Sequence, residues 1–210
     1  MPGFLGLNVG CGSNAVPGWI NCDASFRSMR FRLGRILGLR RYRRFAGLKC
    51  LGLDARQPLP FPSGSANAIY EQHMLYAFDA SETLGFLREC FRVLAPGGLL
   101  RLNEDDLRAV AERYLAGDAE LVEYVRSAPH ISARLVTSPA DALSALFKEW
   151  GSLRWLYDAE SLSALVRAAG FPVTDCCGFR QSRLRDIELL EKDNRSSVLG
   201  QIWLEAVKPP

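Results

Sequence analysis

The chain has 210 residues, 48% of them apolar, which suits one domain with or without a modest lid, and no run approaches the roughly 18 apolar residues of a membrane span. Its formal charge of +3 hides an asymmetry: eight arginines lie between Arg27 and Arg44 with no acid among them, which leaves 18 of the 26 basic residues against 23 acids elsewhere. The six cysteines (Cys11, Cys22, Cys50, Cys90, Cys176, Cys177) include no Cys-x-x-Cys pair and no histidine at ligand spacing, so reduced and mostly buried thiols are expected rather than a metal site or redox motif.

Leu5, Leu7 and Val9 predict a strand over 5–9 that stops at Gly10-Cys11-Gly12. The chain enters this strand almost at once, so no signal peptide is expected and the location is read as cytoplasmic. A second apolar run over 19–23 closes on Asp23. Two strands that end together, one in a glycine turn and one in a carboxylate, suggest a nucleotide or nucleoside site. Glycine lets backbone approach a ligand closely, and a carboxylate can accept from both ribose hydroxyls. The plainer alternative is a tight turn and a capping aspartate. Only six residues separate Gly12 from Trp19, whereas a parallel crossover usually needs about a dozen. The first helix is therefore expected to shrink to a turn, unless the second strand is misplaced.

Residues 26–45 read as a basic helical insert, with Phe26, Met29, Leu33, Ile36 and Leu37 at helical spacing and Arg27, Arg32 and Arg35 largely opposite. Such a helix could cover the sheet with a solvated basic face or dock on an anionic membrane or glycolipid. Nucleic acid is the weakest of three readings, because no recognition motif accompanies the arginines. Next come a strand over 48–53 ending at Asp54, a Pro- and Gly-rich loop over 56–65, and a strand over 67–72. A helix over 81–94 carries Leu84, Leu87, Phe91 and Leu94, and Asp79 with Glu82 offers it a capping box. Pro96-Gly97-Gly98 stops it before a strand over 99–103. Polar helices are expected over 105–127. The pattern from 127 to 155 is poor, which suits a mobile cap, so the chain reads as one domain over 1–210 with a cap at 115–155. Asp158 caps a helix through Ala169 that Gly170 ends, and strands over 172–177 and 201–207 complete an edge hairpin.

Five segments in order carry a family likeness: GCGSNAVPGWINCD (10–23), LPFPSGSANAIYEQHML (59–75), FLRECFRVLAPGGLLRLNEDDL (86–107), LYDAESLSALVRAAGF (156–171), and SRLRDIELLE with IWLEAVKP (182–191 and 202–209). Arg-Val-Leu-x-Pro-Gly-Gly followed by a strand is the most specific of them. The chain resembles small S-adenosylmethionine-dependent methyltransferases of the seven-stranded α/β kind. More narrowly it resembles a bacterial subgroup often found beside polysaccharide-biosynthesis genes. The resemblance implies a Rossmann-like, doubly wound, mostly parallel sheet with an antiparallel C-terminal edge hairpin.

It also implies S-adenosylmethionine as cofactor, with Asp23 on the ribose, Asp54 and the Ala55 amide on adenine, and Gly10, Cys11 and Gly12 on the amino-acid part. Asn8 and Gln72, at the ends of their strands, complete the cofactor set. The chain departs from the family where Asn8 replaces an acid and Asn14 a third glycine, and Asn8 cannot pair with the cofactor's ammonium. Tyr76-Ala77 and Asp105-Asp106 replace the family's Glu-His and Pro-Asp. His73 stands where the family places the transferred methyl group, and an imidazole could take a proton from an attacking hydroxyl. It could equally hold a loop. Tyr70, Asp105 and Asp106 are the alternatives, although helix capping before Leu107 is the commoner job for a residue placed like Asp106. The acceptor is expected to be a sugar, glycan or other small-molecule hydroxyl. The alternative function is a non-catalytic cofactor-binding or scaffold protein of a polysaccharide assembly, and more distantly an RNA methyltransferase.

Overall fold

Side chains alternate across the sheet, so Leu7 and Val9 join one buried face while Asn8 serves the other. The computed structural model describes residues 3–24, 42–45, 47–127, 136–149, 153–192 and 199–210. Among these, the strands are β1 (Gly6–Val9), β2 (Ile20–Asp23), β3 (Tyr42–Phe45), β4 (Leu48–Gly52), β5 (Ala66–Gln72), β6 (Leu94–Asp105), β7 (Thr174–Cys176) and β8 (Gln201–Val207). The helices are α1 (Ala80–Val93), α2 (Leu107–Leu115), α3 (Ala119–Ser127), α4 (Pro139–Glu149), α5 (Ala159–Ala168) and the single turn α6 (Ile187–Leu190).

The sheet runs β3-β4-β2-β1-β5-β6-β8-β7. The central strands β4, β2, β1, β5 and β6 are parallel, and β8 enters antiparallel between β6 and β7. Seven of these strands form the expected doubly wound sheet with its antiparallel edge hairpin. The eighth, β3, lies antiparallel to β4 and corrects the helical reading of 26–45 at its end. Gly47, at φ +82°, turns the chain between these two strands, a hairpin turn that the helical periodicity hid. Residues 25–41, which hold the rest of the basic insert, lie outside the described residues, as does His130.

One face of the sheet is apolar. Leu7, Val9, Ile69, Leu100, Leu102 and Leu204 pack under α1 and α5, with Phe86, Leu87, Leu162, Val166 and Phe171 filling the layer. Asp79 and Glu82 form the expected capping box of α1. β6 runs from Leu94 straight out of the helix rather than starting at 99.

The other face lacks a first helix, as expected. The ten residues between β1 and β2 make turns instead, and two asparagines hold them. Asn8 donates through Nδ2 to Asn14 O (2.8 Å) and to Asn21 Oδ1 (2.9 Å). Asn21 accepts from Val16 N (2.8 Å) and donates to Val16 O (3.0 Å) and Trp19 O (3.2 Å). Val16 and Trp19 then cover Ala68, Tyr70 and Leu99 together with Leu184 and Leu190, so the segment around α6 covers sheet that a helix would otherwise shield. Asn14 Nδ2 donates to Leu190 O (2.7 Å) and Trp19 Nε1 to Asp186 (3.1 Å), binding that segment to the loop.

Arg101 lies fully buried on this face. It donates to Glu191 (2.6 Å), to Glu205 (3.2 Å), and to the carbonyls of Gly178 (2.9 Å) and Gln181 (3.2 Å). Its guanidinium also stacks 5.2 Å from the Trp203 ring.

The region read as patternless contains α4. Ala142, Leu146 and Val136 form a second small core with Val110, Leu121, Val122 and Val125 of α2 and α3. The signal was present: in Ser138-Pro139-Ala140-Asp141, Asp141 accepts from the amides and hydroxyls of Thr137 and Ser138, and Ser138 Oγ accepts from Asp141 N. Those bonds, the Thr137 hydroxyl foremost, hold the Asp141 carboxyl down to about 2. Of the cysteines, Cys11, Cys22, Cys50 and Cys90 are buried, whereas Cys176 at the edge of the sheet is exposed and Cys177 half-buried. No helix among the described residues is long and apolar enough to cross a membrane.

Candidate active site

Two cavities open at the carboxyl ends of β1, β2, β4 and β5, where ligands bind in open α/β sheets. The first, about 410 Å³, is lined by Asn8, the 10–14 turn, Tyr70, Gln72, His73, Leu190 and Lys192. The second, about 570 Å³, is lined by Asp23, Asp54, Ala55, Met74, Tyr76, Phe78 and Arg154 among others. Gly10, Gly12 and His73 belong to both, so the two are halves of one elongated site. Each lies in the size range of small-molecule sites.

The glycines are required. Gly10 has φ +70°, and a Cβ there would stand 2.9 Å from Met74. Gly12 has φ +50° and nothing within 4 Å of the position a Cβ would take, so its backbone fronts open cavity. Asp23 Oδ2 accepts from Gly12 N at 2.6 Å and so fixes the turn as well as lining the site. Asp54 accepts from Arg56 Nε and Nη2, both at 2.9 Å, and from Arg56 N at 3.2 Å, and lines the second cavity. Ala55 is buried in the same wall.

Every expected cofactor residue thus lies at this site. Asn8 also acquires a job that an acid could not do, since both its bonds are donated.

His73 follows β5 in the left-handed region, at φ +51°, an uncommon conformation that tends to concentrate at functional sites. Its Nε2 is 3.4 Å from the Gln201 amide nitrogen, and Asp105 Oδ1 stands 3.8 Å from Nδ1, near enough to orient the ring electrostatically. Tyr70 Oη donates to Gln72 (3.1 Å) inside the first cavity. Asp106 caps α2 by accepting from Arg108 N (2.9 Å) and lines neither cavity.

Sequence reasoning missed a pair of acids beneath His73. Glu71 and Glu104 are 0% and 3% exposed. Glu71 accepts from Met74 N (2.7 Å), and Glu104 accepts from Met74 N (3.0 Å) and Leu75 N (2.8 Å). Burial pushes both carboxyls up, Glu71 well above the ordinary range with the nearby Glu104 charge adding to it. By accepting from these amides the two acids clamp the turn that presents Met74 and Tyr76 to the cavity. Between the ordinary and the raised range the folded protein keeps a proton that the unfolded chain releases, so stability falls as pH rises through that window. Glu71→Gln imitates the protonated acid and is expected to flatten this fall. Its melting temperature relative to the parent should climb as pH rises above the ordinary carboxyl range, and parallel curves would show that Glu71 is ionised in the fold.

Other wall residues, Met74, Tyr76, Phe78, Arg154, Leu190 and Lys192, carry no sequence signal. Arg154 reaches the site because its backbone N donates to Tyr76 O (2.8 Å) and its side chain pairs with Asp79 and Glu82.

Comparison with known proteins agrees with this geometry. Residues 7–102 match the model of a methyltransferase domain. A SAM-dependent methyltransferase from Thermotoga maritima superposes with a TM-score of 0.54 at 18% identity, over 99% of this chain and 83% of its own. One from Archaeoglobus fulgidus gives 0.54 at 12%, over 99% and 87%. The [4+2]-cyclase SpnF gives 0.51 at 20%, over 99% and 76%. Identities this low establish the fold alone, and no curated protein matches the chain. The domain match and the Rossmann-like sheet support a SAM-dependent methyltransferase. Its cofactor is S-adenosylmethionine.

Proposed function

We propose that the chain O-methylates a hydroxyl of a sugar, glycan or other small molecule, with His73 as general base. The observation that carries this reading is the place of His73, which lines both halves of the site and has Asp105 beside its ring. S-adenosylmethionine supplies a methyl group on a sulfonium already reactive toward an oxygen nucleophile. The protein's task is then to position the acceptor oxygen, exclude water and hold its proton. Asp23 would hold the ribose, Asp54 with the Ala55 amide the adenine, and the Gly10–Gly12 backbone with Gln72 the amino-acid end. Polysaccharide biosynthesis and peripheral contact with an anionic surface through Arg27–Arg44 extend this reading from the sequence resemblance and the charge asymmetry. A screen of glycan and small alcohol acceptors with labelled methyl donor tests it; tight cofactor binding without transfer to any acceptor would favour the scaffold alternative.

Two predictions follow the division of the site. Asp23→Ala and Asp54→Ala should each weaken S-adenosylhomocysteine binding by about 1–3 kcal/mol in calorimetric titration, the scale of a hydrogen bond to a charged group. Unchanged affinity in both would remove the assigned adenosine site. Lys192 brings a cation to the first cavity, suited to the cofactor's carboxylate. Lys192→Ala is expected to weaken S-adenosylhomocysteine about two- to five-fold, as for an exposed ion pair, and to leave 5′-methylthioadenosine unaffected because it lacks the amino-acid end. Equal losses for both ligands would move Lys192 out of this role.

A further inference from the structure

Cys11 and Cys50 are 39 residues apart in sequence, yet their sulfurs stand 3.4 Å apart, in hydrogen-bond contact. Cys11 lies between the two left-handed glycines of the turn and lines the first cavity at 6% exposure. Cys50 is fully buried on β4, opposite Asn21 of β2. Cys11 N donates to Cys22 O (3.0 Å), which keeps the turn against the strand ends and the two thiols facing each other. We propose that Cys11 and Cys50 form a reversible disulfide that switches the cofactor site off, an inference that rests on reading the cavity as that site.

A disulfide needs the sulfurs at about 2.05 Å, so each must give up part of a closure of roughly 1.4 Å. Most of that movement falls on the turn, because β4 is held on both sides within the sheet. Drawing Cys11 inward displaces Gly10 and Gly12, two of the residues shared by both halves of the site, and strains the Gly12 bond to Asp23.

The oxidant is a hydroperoxide, small enough to enter the cavity. One thiolate sulfur attacks the peroxide oxygen, an S–O bond forms as the O–O bond breaks, and a sulfenic acid results with loss of hydroxide. The second sulfur then forms the S–S bond and displaces the oxygen as water, so two thiols and one hydrogen peroxide give one disulfide and two waters. The hydrogen bond shared with Cys11 holds the Cys50 thiol below its ordinary range, so Cys50 is the more readily ionised partner. Thiol–disulfide exchange with an excess of small thiol reverses the step. A bound cofactor would cover Cys11, so binding and oxidation should oppose each other.

The test uses the full chain with Cys176→Ser and Cys177→Ser, which removes the two more accessible thiols. It is treated with hydrogen peroxide, mapped by peptide mass spectrometry and titrated with S-adenosylhomocysteine. The expected result is a Cys11–Cys50 cross-link, a loss of affinity of about ten- to a hundred-fold, and recovery with dithiothreitol. Prior addition of S-adenosylhomocysteine should slow the cross-link, and a further Cys50→Ser change should abolish it without altering affinity in the reduced state. A cross-link through Cys22, no cross-link, or a cross-linked protein that binds as tightly as the reduced one overturns the switch. Reduced protein that fails to bind S-adenosylhomocysteine overturns the cofactor reading and the switch together, and is distinguishable because it precedes oxidation.

Discussion

His73→Ala is expected to lower turnover by about 10²–10⁴-fold while the fold and the affinity for S-adenosylhomocysteine remain close to the parent's. The left-handed backbone at φ +51° comes from the turn, held by His73 N donating to Asn103 O at 2.9 Å and by the acid pair below Met74. Alanine can occupy it at little more cost than histidine, so the variant tests the ring and not the turn. Loss in kcat with little change in the cofactor's binding constant is the signature of a group that acts on the acceptor's proton. A variant as active as the parent on the true acceptor would end the role and direct attention to Asp105, 3.8 Å from the ring.

Arg101→Leu is expected to cost about 3–5 kcal/mol of stability, read from denaturant midpoints at constant m. The leucine would bury adequately, but Glu191 at 0% and Glu205 at 6% exposure would lose the cation between them. The carbonyls of Gly178 and Gln181 would lose their donors as well. Adding Glu191→Gln and Glu205→Gln to Arg101→Leu should recover part of the loss, because neutral amides need no cation. A single variant as stable as the parent would mean that the network contributes shape and not stability. Because this network anchors the chain beside α6, the Arg101 variant should also bind S-adenosylhomocysteine less tightly well below its melting temperature.

The strand ends were legible in the sequence because their information is local. Glycine after an apolar run, and an aspartate closing the next, place Gly10, Gly12 and Asp23 without any knowledge of the rest of the chain. Asp79-x-x-Glu82 is equally local. Ser138-x-x-Asp141 is of the same kind and was overlooked because Ala, Leu and Ser around it blur the apolar stripe of α4. Asn8 and Asn14 could be read only as departures from a family pattern. Their reason lies in Asn21 and in Leu190, the latter 176 residues from Asn14, and such pairings leave no periodicity to find. Glu71 and Glu104 were hidden for a related reason: each looks like an ordinary strand-end acid, and only the pairing of β5 with β6 brings them together. For Asp106 the family position suggested substrate contact while its place before Leu107 suggested a helix cap, and its bond from Arg108 N makes it a cap.

The early loop that relies on late residues also sets a timetable for the nascent chain. Asn14 and Trp19 leave the ribosome with β1, but Leu190 and Asp186 follow 176 and 167 residues later, an interval of roughly 10–35 s at ordinary elongation rates. Until then Val16 and Trp19 can pack only against Ala68, Tyr70 and Leu99 of the sheet, and the turn that carries Cys11 lacks the cover of Leu184 and Leu190. The methyl-donor site should therefore be among the last parts of the molecule to mature, and a stalled or prematurely terminated polypeptide would emerge with its strands begun and its donor site unfinished.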